Sequence, residues 1–261
     1  MSEFAALHRR GEPFLLPNGW DVASALLLAG AGFPAVGTTS LGVTAAAGLV
    51  DGDGTGRAAT LALARLLAPR LSVPLSVDVE AGYSEDPAQV AELAAELAGL
   101  GAAGLNLEDA AAGGELRATD HQAAIIVAVR QAAPELFINA RTDMYWLNIG
   151  PSAVRLTATI ARLQAYAEAG ASGVFVPGLS EPQAIGVLTS QVQLPLNLLW
   201  QPGTDLASLG ECGVARVSTG SGPYRRALAA AVATAIAARD GDAPPPGEVG
   251  YRDLIGLLQQ A

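Results

Sequence analysis

Short apolar runs recur along the chain, and most stop at a polar or charged residue before a longer segment with helical spacing begins. The clearest is Val73 to Tyr83, V-P-L-S-V-D-V-E-A-G-Y, where Leu75, Val77 and Val79 alternate as a strand requires and Gly82 breaks the run. Asp78 and Glu80 are two residues apart, so on a strand they leave the same face, carboxylate beside carboxylate. Two such acids repel each other and resist desolvation unless a cation or hydrogen-bond donors sit between them. A hard divalent ion such as Mg2+ meets that need through oxygen ligands and retained waters.

The same alternation organises the rest. Pro13 to Pro17 reads as a first strand and Asn18-Gly19-Trp20-Asp21 as its turn, ahead of a helix from Val22 to Ala31. Ala35 to Gly37 is a second strand, opening into Thr38-Thr39-Ser40-Leu41-Gly42, a loop of hydroxyls and free N–H groups suited to an anion. An acidic turn, Leu49 to Gly54, precedes a helix from Thr55 to Ala68. After the strand that ends in Asp78 and Glu80, Asp86-Pro87 starts a helix that stops at Gly99 to Gly101. Strands follow at Ala103 to Leu107, Leu136 to Ala140, Gly173 to Val176, Leu194 to Leu199 and Val214 to Ser218. Helices lie between them at about 120–133, 153–169, 181–190 and 205–211, and an alanine-rich helix runs to Arg239.

Eight apolar strands alternating with helices predict an α/β fold, a (β/α)8 TIM barrel, over residues 1–239. A doubly wound sheet is the competing architecture, but no G-x-G-x-x-G follows the first strand. In a barrel the strand ends share one face, so Ser40, Asp51, Asp78, Glu80, Glu108, Arg141 and Asn197 become neighbours. Residues 240–261 read as a Pro/Gly spacer with a short final helix from Tyr251 to Gln260, which needs its own barrel or another subunit to dock on.

Composition narrows the chemistry. A net charge of −10 argues against nucleic acid and anionic membrane as partners, but not against a small anion met by local cations. No apolar run approaches a membrane span and the N-terminus is no signal peptide, which predicts a cytoplasmic protein. Cys212 is the only cysteine, so an internal disulfide is impossible. All 15 basic residues are arginine; Schiff-base and P-loop lysine chemistry is therefore excluded.

The series P-N-G-W-D, T-T-S, V-D-V-E-A-G-Y, N-L-E-D, N-A-R-T-D and V-S-T-G resembles the isocitrate lyase/phosphoenolpyruvate mutase superfamily, from Pro17 to about Ala230. The resemblance implies a TIM barrel in a homodimer or homotetramer, with a C-terminal helix exchanged between subunits. It implies Mg2+, or Mn2+, and cleavage or formation of C–C or P–C bonds beside a 2-oxo or 2-hydroxy acid through a metal-held enolate. On that basis Asp78 is the direct metal ligand, and Asp51, Glu80 and Glu108 hold metal-bound waters. Thr39, Ser40, Leu41 and Gly42 bind the substrate carboxylate, Trp20 and Asn197 join the substrate contacts, and Arg141 pairs with the far end. Arg141, Glu108 and Asp51 are the catalytic candidates, with His121, Tyr83 and Asp143 as further proton carriers.

The chain also departs from that pattern. Isocitrate and methylisocitrate lyases carry a K-[KR]-C-G-H loop after the fourth strand; here the loop is Ala110-Ala111-Ala112-Gly113-Gly114, without cysteine or lysine. Those two activities are not expected. The leading expectation is a Mg2+-dependent lyase or decarboxylase, the alternatives being a phosphonomutase or phosphonate hydrolase, or a non-catalytic barrel that binds such acids.

Overall fold

The computed structural model describes residues 2–111 and 113–259. Ala112 of the predicted loop and Gln260, the predicted end of the last helix, lie outside them. Nine strands run parallel: β1 (Phe14–Leu16), β2 (Asn18–Gly19), β3 (Val36–Thr38), β4 (Leu75–Asp78), β5 (Gly104–Glu108), β6 (Phe137–Arg141), β7 (Gly173–Phe175), β8 (Leu196–Leu199) and β9 (Val214–Ser218). Their order is β1-β9-β8-β7-β6-β5-β4-β3-β2. Pro17 has no N–H to give and interrupts the ladder, so β1 and β2 are two halves of one stave. The first half pairs with β9 and the second with β3, which closes the sheet into the expected barrel of eight staves.

The helices are α1 (Glu3–Ala6), α2 (Val22–Gly30), α3 (Ser40–Ala46), α4 (Arg57–Leu67), α5 (Pro87–Leu100), α6 (Thr119–Ala132), α7 (Ser152–Glu168), α8 (Pro182–Gln191), α9 (Leu206–Glu211), α10 (Gly222–Asp240) and α11 (Tyr251–Gln259). Local chemistry sets their ends. In α5 the Asp86 carboxylate accepts the Ala88 N–H at 2.9 Å, Pro87 occupies the first turn and Gly101 closes the helix at φ 101°. None of the described helices is long and apolar enough to cross a membrane.

The main core lies between the sheet and the helices. Leu105 and Leu107 of β5 and Ile138 and Ala140 of β6 point outward into it, against Leu93, Leu97, Ile125 and Ile126. Each such leucine or isoleucine contributes roughly 1.5–3 kcal/mol by leaving water. Alternation therefore turns Asn106, Glu108, Asn139 and Arg141 toward the barrel axis. Beneath the axis, α1 plugs the N-terminal ends of the strands. Phe4 packs edge-on to Phe137, and His8 stacks on Phe137 with ring centroids 3.9 Å apart. At the other terminus α11 packs on α2 of its own chain.

Two elements differ from expectation: Asn18 and Gly19, read as part of a turn, form β2, and the segment after β3 is helical. Thr38 to Gly42 is not a loop: Thr39 is the N-cap of α3, and Ser40, Leu41 and Gly42 form its first turn. The free N–H groups anticipated there are those every helix leaves unsatisfied at its start.

Candidate active site

Four strand ends and two turns build one acidic mouth. At the end of β4 the Asp78 N–H donates to Thr38 Oγ1 at 2.9 Å, and its carboxylate accepts the Ser40 N–H at 2.9 Å. Asp78 is thereby clamped against the first turn of α3, whose Leu41 and Gly42 N–H groups have no acceptor within the helix. Past the strand, Glu80 adopts φ 51° and Tyr83 φ 59°, left-handed conformations that a non-glycine residue holds at a cost of about 1–3 kcal/mol. This curl folds the Glu80 carboxylate back toward the turn 48–54, where one oxygen accepts the Gly52 N–H at 3.1 Å. The other, Oε1, is buried without a partner.

Glu108 and Arg141 end neighbouring strands, and the carboxylate lies 2.8 Å from the guanidinium. Asp143 takes Arg141 Nε and Nη2 at 2.6 and 3.0 Å. Asp51, on the turn after α3, completes the group beside Ser40 and Asp78.

Burial and mutual repulsion leave these acids reluctant to ionise. Desolvation, then Asp51 and Asp78, lifts Glu80 to about 7, and desolvation lifts Glu108 to about 8 against the opposing pull of Arg141. Asp51 is raised chiefly by desolvation. The Tyr83 phenol is also raised by burial, and its hydroxyl is engaged with Thr60 Oγ1 at 2.8 Å.

Thr39, Ser40, Leu41, Asp51, Asp78 and Arg141 line a cleft of about 130 Å3, together with Asn106, Ser218 and an apolar wall that includes Trp146 and Phe175. Glu80 and Glu108 face an adjoining cavity of about 270 Å3 under the loop 110–116. The two ends of that loop meet, where Ala111 N–H donates to Glu115 O and Arg117 N–H to Asp109 O. Buried Arg117 anchors its base to Glu85 and to the carbonyls of Ala81 and Ser84.

Five residues proposed from sequence, Trp20, Gly42, His121, Asp143 and Asn197, fall outside both linings. Trp20 packs against Tyr224, with centroids 5.4 Å apart. Gly42 faces Trp20 so closely that an added Cβ would lie 2.7 Å from the Trp20 Cβ. Asn197 lies inside the barrel below the mouth, accepting from Ser218 Oγ at 3.1 Å. His121 pairs with Glu85 at 3.3 Å, at the flank of the loop. Sequence reasoning missed Asn106 and Arg216, although each sits two residues before a strand-end polar residue and so shares its face.

The donor set is oxygen throughout, with a partnerless buried carboxylate oxygen and three acids held above their usual range. That is the environment of a hard divalent cation. Among the described residues no three acids, histidines or cysteines converge as a direct chelating group. An ion here would keep much of its water, as Mg2+ characteristically does.

The model of the phosphoenolpyruvate phosphomutase family matches residues 4–239. An uncharacterized protein of Mycobacterium tuberculosis is 47% identical over 255 residues, 98% of this chain and 95% of that one. The crystal structure of a Burkholderia cenocepacia protein, provisionally described as a phosphonomutase, superposes with a TM-score of 0.85 at 44% identity, covering 89% of this chain and 97% of the other. The 2-methylisocitrate lyase of Bacillus subtilis is 30% identical over 189 residues, 69% of this chain and 60% of its own length.

Proposed function

The chain belongs to the phosphoenolpyruvate phosphomutase family of the isocitrate lyase/PEP mutase superfamily, and on that premise we propose that it is a Mg2+-dependent lyase of small acids. Members of the superfamily include lyases, mutases and hydrolases acting on small acids. The reaction proposed here is cleavage or decarboxylation of a 2-oxo or 2-hydroxy carboxylate. The observation that supports it best is the placement of Arg141 opposite the α3 first turn across a cleft of about 130 Å3, with the acids between them. Such a space is well below the ~300–1,000 Å3 of pockets for drug-sized ligands and suits a short acid.

Asp78 would hold the ion directly, with Asp51, Glu80 and Glu108 on its waters. When bound, the ion supplies Lewis-acid polarisation of the 2-oxo oxygen and neutralises charge that develops there. The protein's own groups do the rest. The Leu41 N–H and the Ser40 and Thr39 side chains receive one carboxylate, and Arg141 offers a planar fork to the other end. Glu80, raised to about 7, retains its proton near neutrality in the metal-free protein and would give it up on binding a cation, whereas Glu108 stays paired with Arg141. The segment after β5 contributes no cysteine or lysine, which fits a decarboxylation finished by proton donation from water. It is also why isocitrate and methylisocitrate are not the proposed substrates.

The 44% likeness to the Burkholderia protein favours a second reading, rearrangement or hydrolysis of a phosphonate. A panel of 2-oxo and 2-hydroxy acids, assayed for pyruvate and CO2 with and without Mg2+, separates them. Release that depends on Mg2+ supports the lyase, and turnover of phosphonopyruvate alone supports the second reading. Metal binding without turnover of any of these would leave a non-catalytic binder. We place the protein in the cytoplasm as a homodimer or homotetramer. Leu228, Val232 and Ile236, exposed one turn apart on α10, support association, which light scattering on the purified protein would measure.

A further inference from the structure

Arg216 is fully buried inside the barrel, yet among the described residues no carboxylate touches it. Its Nε donates to Ser218 Oγ at 3.1 Å and its Nη2 to Asn106 Oδ1 at 2.7 Å, while Nη1 has no partner. A buried guanidinium without a counter-charge is costly, and replacing it with an apolar side chain would ordinarily relieve the fold. Burial accordingly lowers its pKa to about 9, offset in part by Asp78. A group kept at such a cost invites the question of what it holds in place.

The hydrogen bonds around it run one way. Asn106 Oδ1 accepts from Arg216 Nη2 and also from Asn139 Nδ2 at 2.7 Å. With its oxygen doubly occupied, the amide cannot turn over without breaking both bonds. Its Nδ2 donates to nothing among the described residues, and Asn106 lines the cleft. Ser218 is fixed likewise, accepting from Arg216 and donating to Asn197 Oδ1. Asn106 is moreover the ladder partner of Asp78, so its amide stands beside that carboxylate at the same level of the barrel.

We propose that Asn106 is a substrate-binding residue that presents Nδ2 to a carboxylate or carbonyl oxygen of the bound acid, and that Arg216 is the positioning residue that locks this amide in place. The inference rests on the reading of the cleft as an oxo-acid site and extends it to the floor. An amide donor next to Asp78 meets an oxygen that the acids alone would repel.

Oxalate is the probe, titrated by calorimetry into the full-length protein at saturating Mg2+, with Mg2+ alone titrated separately. Asn106→Ala is expected to weaken oxalate about tenfold or more, as loss of a hydrogen bond to a charged group does, while Mg2+ affinity stays within about twofold. Arg216→Met is expected to weaken oxalate comparably with no fall in thermal midpoint, and Arg216→Lys to recover part of the loss. Because Arg216 acts through Asn106, the double variant Asn106→Ala/Arg216→Met should bind little worse than the weaker single variant. Wild-type binding of oxalate that neither single substitution alters overturns this inference alone, as does full additivity in the double variant. An Arg216→Met protein that loses oxalate only by unfolding, alongside an Asn106→Ala protein that binds normally, also refutes it. If the wild-type protein with Mg2+ takes up no oxalate, both this inference and the reading it rests on fall.

Discussion

Glu108 and Arg141 are direct partners in the β5–β6 ladder, and their side chains meet at 2.8 Å. The backbone register alone brings them together at the barrel mouth, on the faces that alternation has already turned inward. Asp143, two residues further, takes the other edge of the guanidinium. Burial works against the Arg141 charge, but Glu108 and Asp143 outweigh it and hold the group more firmly protonated than usual. The cleft therefore keeps one reliable cation among its acids.

Substitution at Arg141 separates charge from geometry. Arg141→Lys keeps a point charge but cannot bridge Glu108 and Asp143 while offering a fork to substrate, and turnover per unit KM is expected to fall about 100-fold. Arg141→Met strands two buried acids, and urea denaturation should show a loss of about 3 kcal/mol or more. A lysine variant with full activity would contradict the assigned role.

The acid cluster predicts a pH dependence of the metal-free protein. Glu80 titrates at about 7 in the fold against an ordinary 4.5, so the folded state holds its proton more tightly than the unfolded chain does. That contribution is complete below pH 4.5 and lost as pH rises through about 7, some ~3 kcal/mol for a shift of this size. Denaturation midpoints of metal-free protein should fall between pH 5 and 8, Glu80→Gln should flatten the decline, and Mg2+ should restore stability most at the alkaline end.

His8 carries the opposite sign. Desolvation, then the nearby Arg216 charge, depresses it from 6.5 to about 3, outweighing the bond between Nδ1 and Phe4 O at 2.9 Å. Its contribution to stability is present above pH 6.5 and is lost as pH falls toward 3, reaching about 2 kcal/mol by pH 5. His8→Phe, which also removes the buried and partnerless Nε2, should abolish this acid sensitivity in a series of thermal melts from pH 7 to 4.

Packing and ligation can be told apart at the first turn of α3. Gly42→Ala sets a Cβ 2.7 Å from Trp20 Cβ and 3.0 Å from Thr39 Cγ2, and overpacking of that kind costs about 1–3 kcal/mol. Trp20→Phe, at a side chain outside the cleft, should leave oxalate affinity within about twofold. A much larger loss in Trp20→Phe would return that residue to the ligand set.

The barrel and the acidic strand ends were legible because both follow from short-range rules. Alternation gave the strands and their polar ends at Asp78, Glu108 and Arg141, but Glu80 reaches the mouth through a left-handed curl past β4 and not by sharing a strand face with Asp78. What stayed hidden depends on depth along the axis. Asn197 was placed at the mouth because its strand ends there, but Leu199, two residues on, is the rim residue. Arg216 is surrounded in sequence by V-A and V-S and carries its own signal, a charge in the middle of an apolar strand. One partner, Ser218, lies two residues on along the same strand, but the other, Asn106, comes from β5, more than a hundred residues away, and no local pattern reveals it. The helical first turn at Ser40 escaped because its hydroxyls and glycine favour turns when read locally, while the Asp78 carboxylate that receives the Ser40 N–H comes from another strand.

The plug of Phe4, His8 and Phe137 has one more result. With the lower end stoppered by aromatic rings, the barrel has a single doorway, and whatever enters must back out the way it came. If a bound acid is split in two, the fragment toward Arg141 and the rim departs first, and the piece lying over Asp78 and the floor waits its turn. Under the proposed cleavage the order of exit would follow from the architecture, and the slower of the two departures would set the pace of recovery for the next cycle.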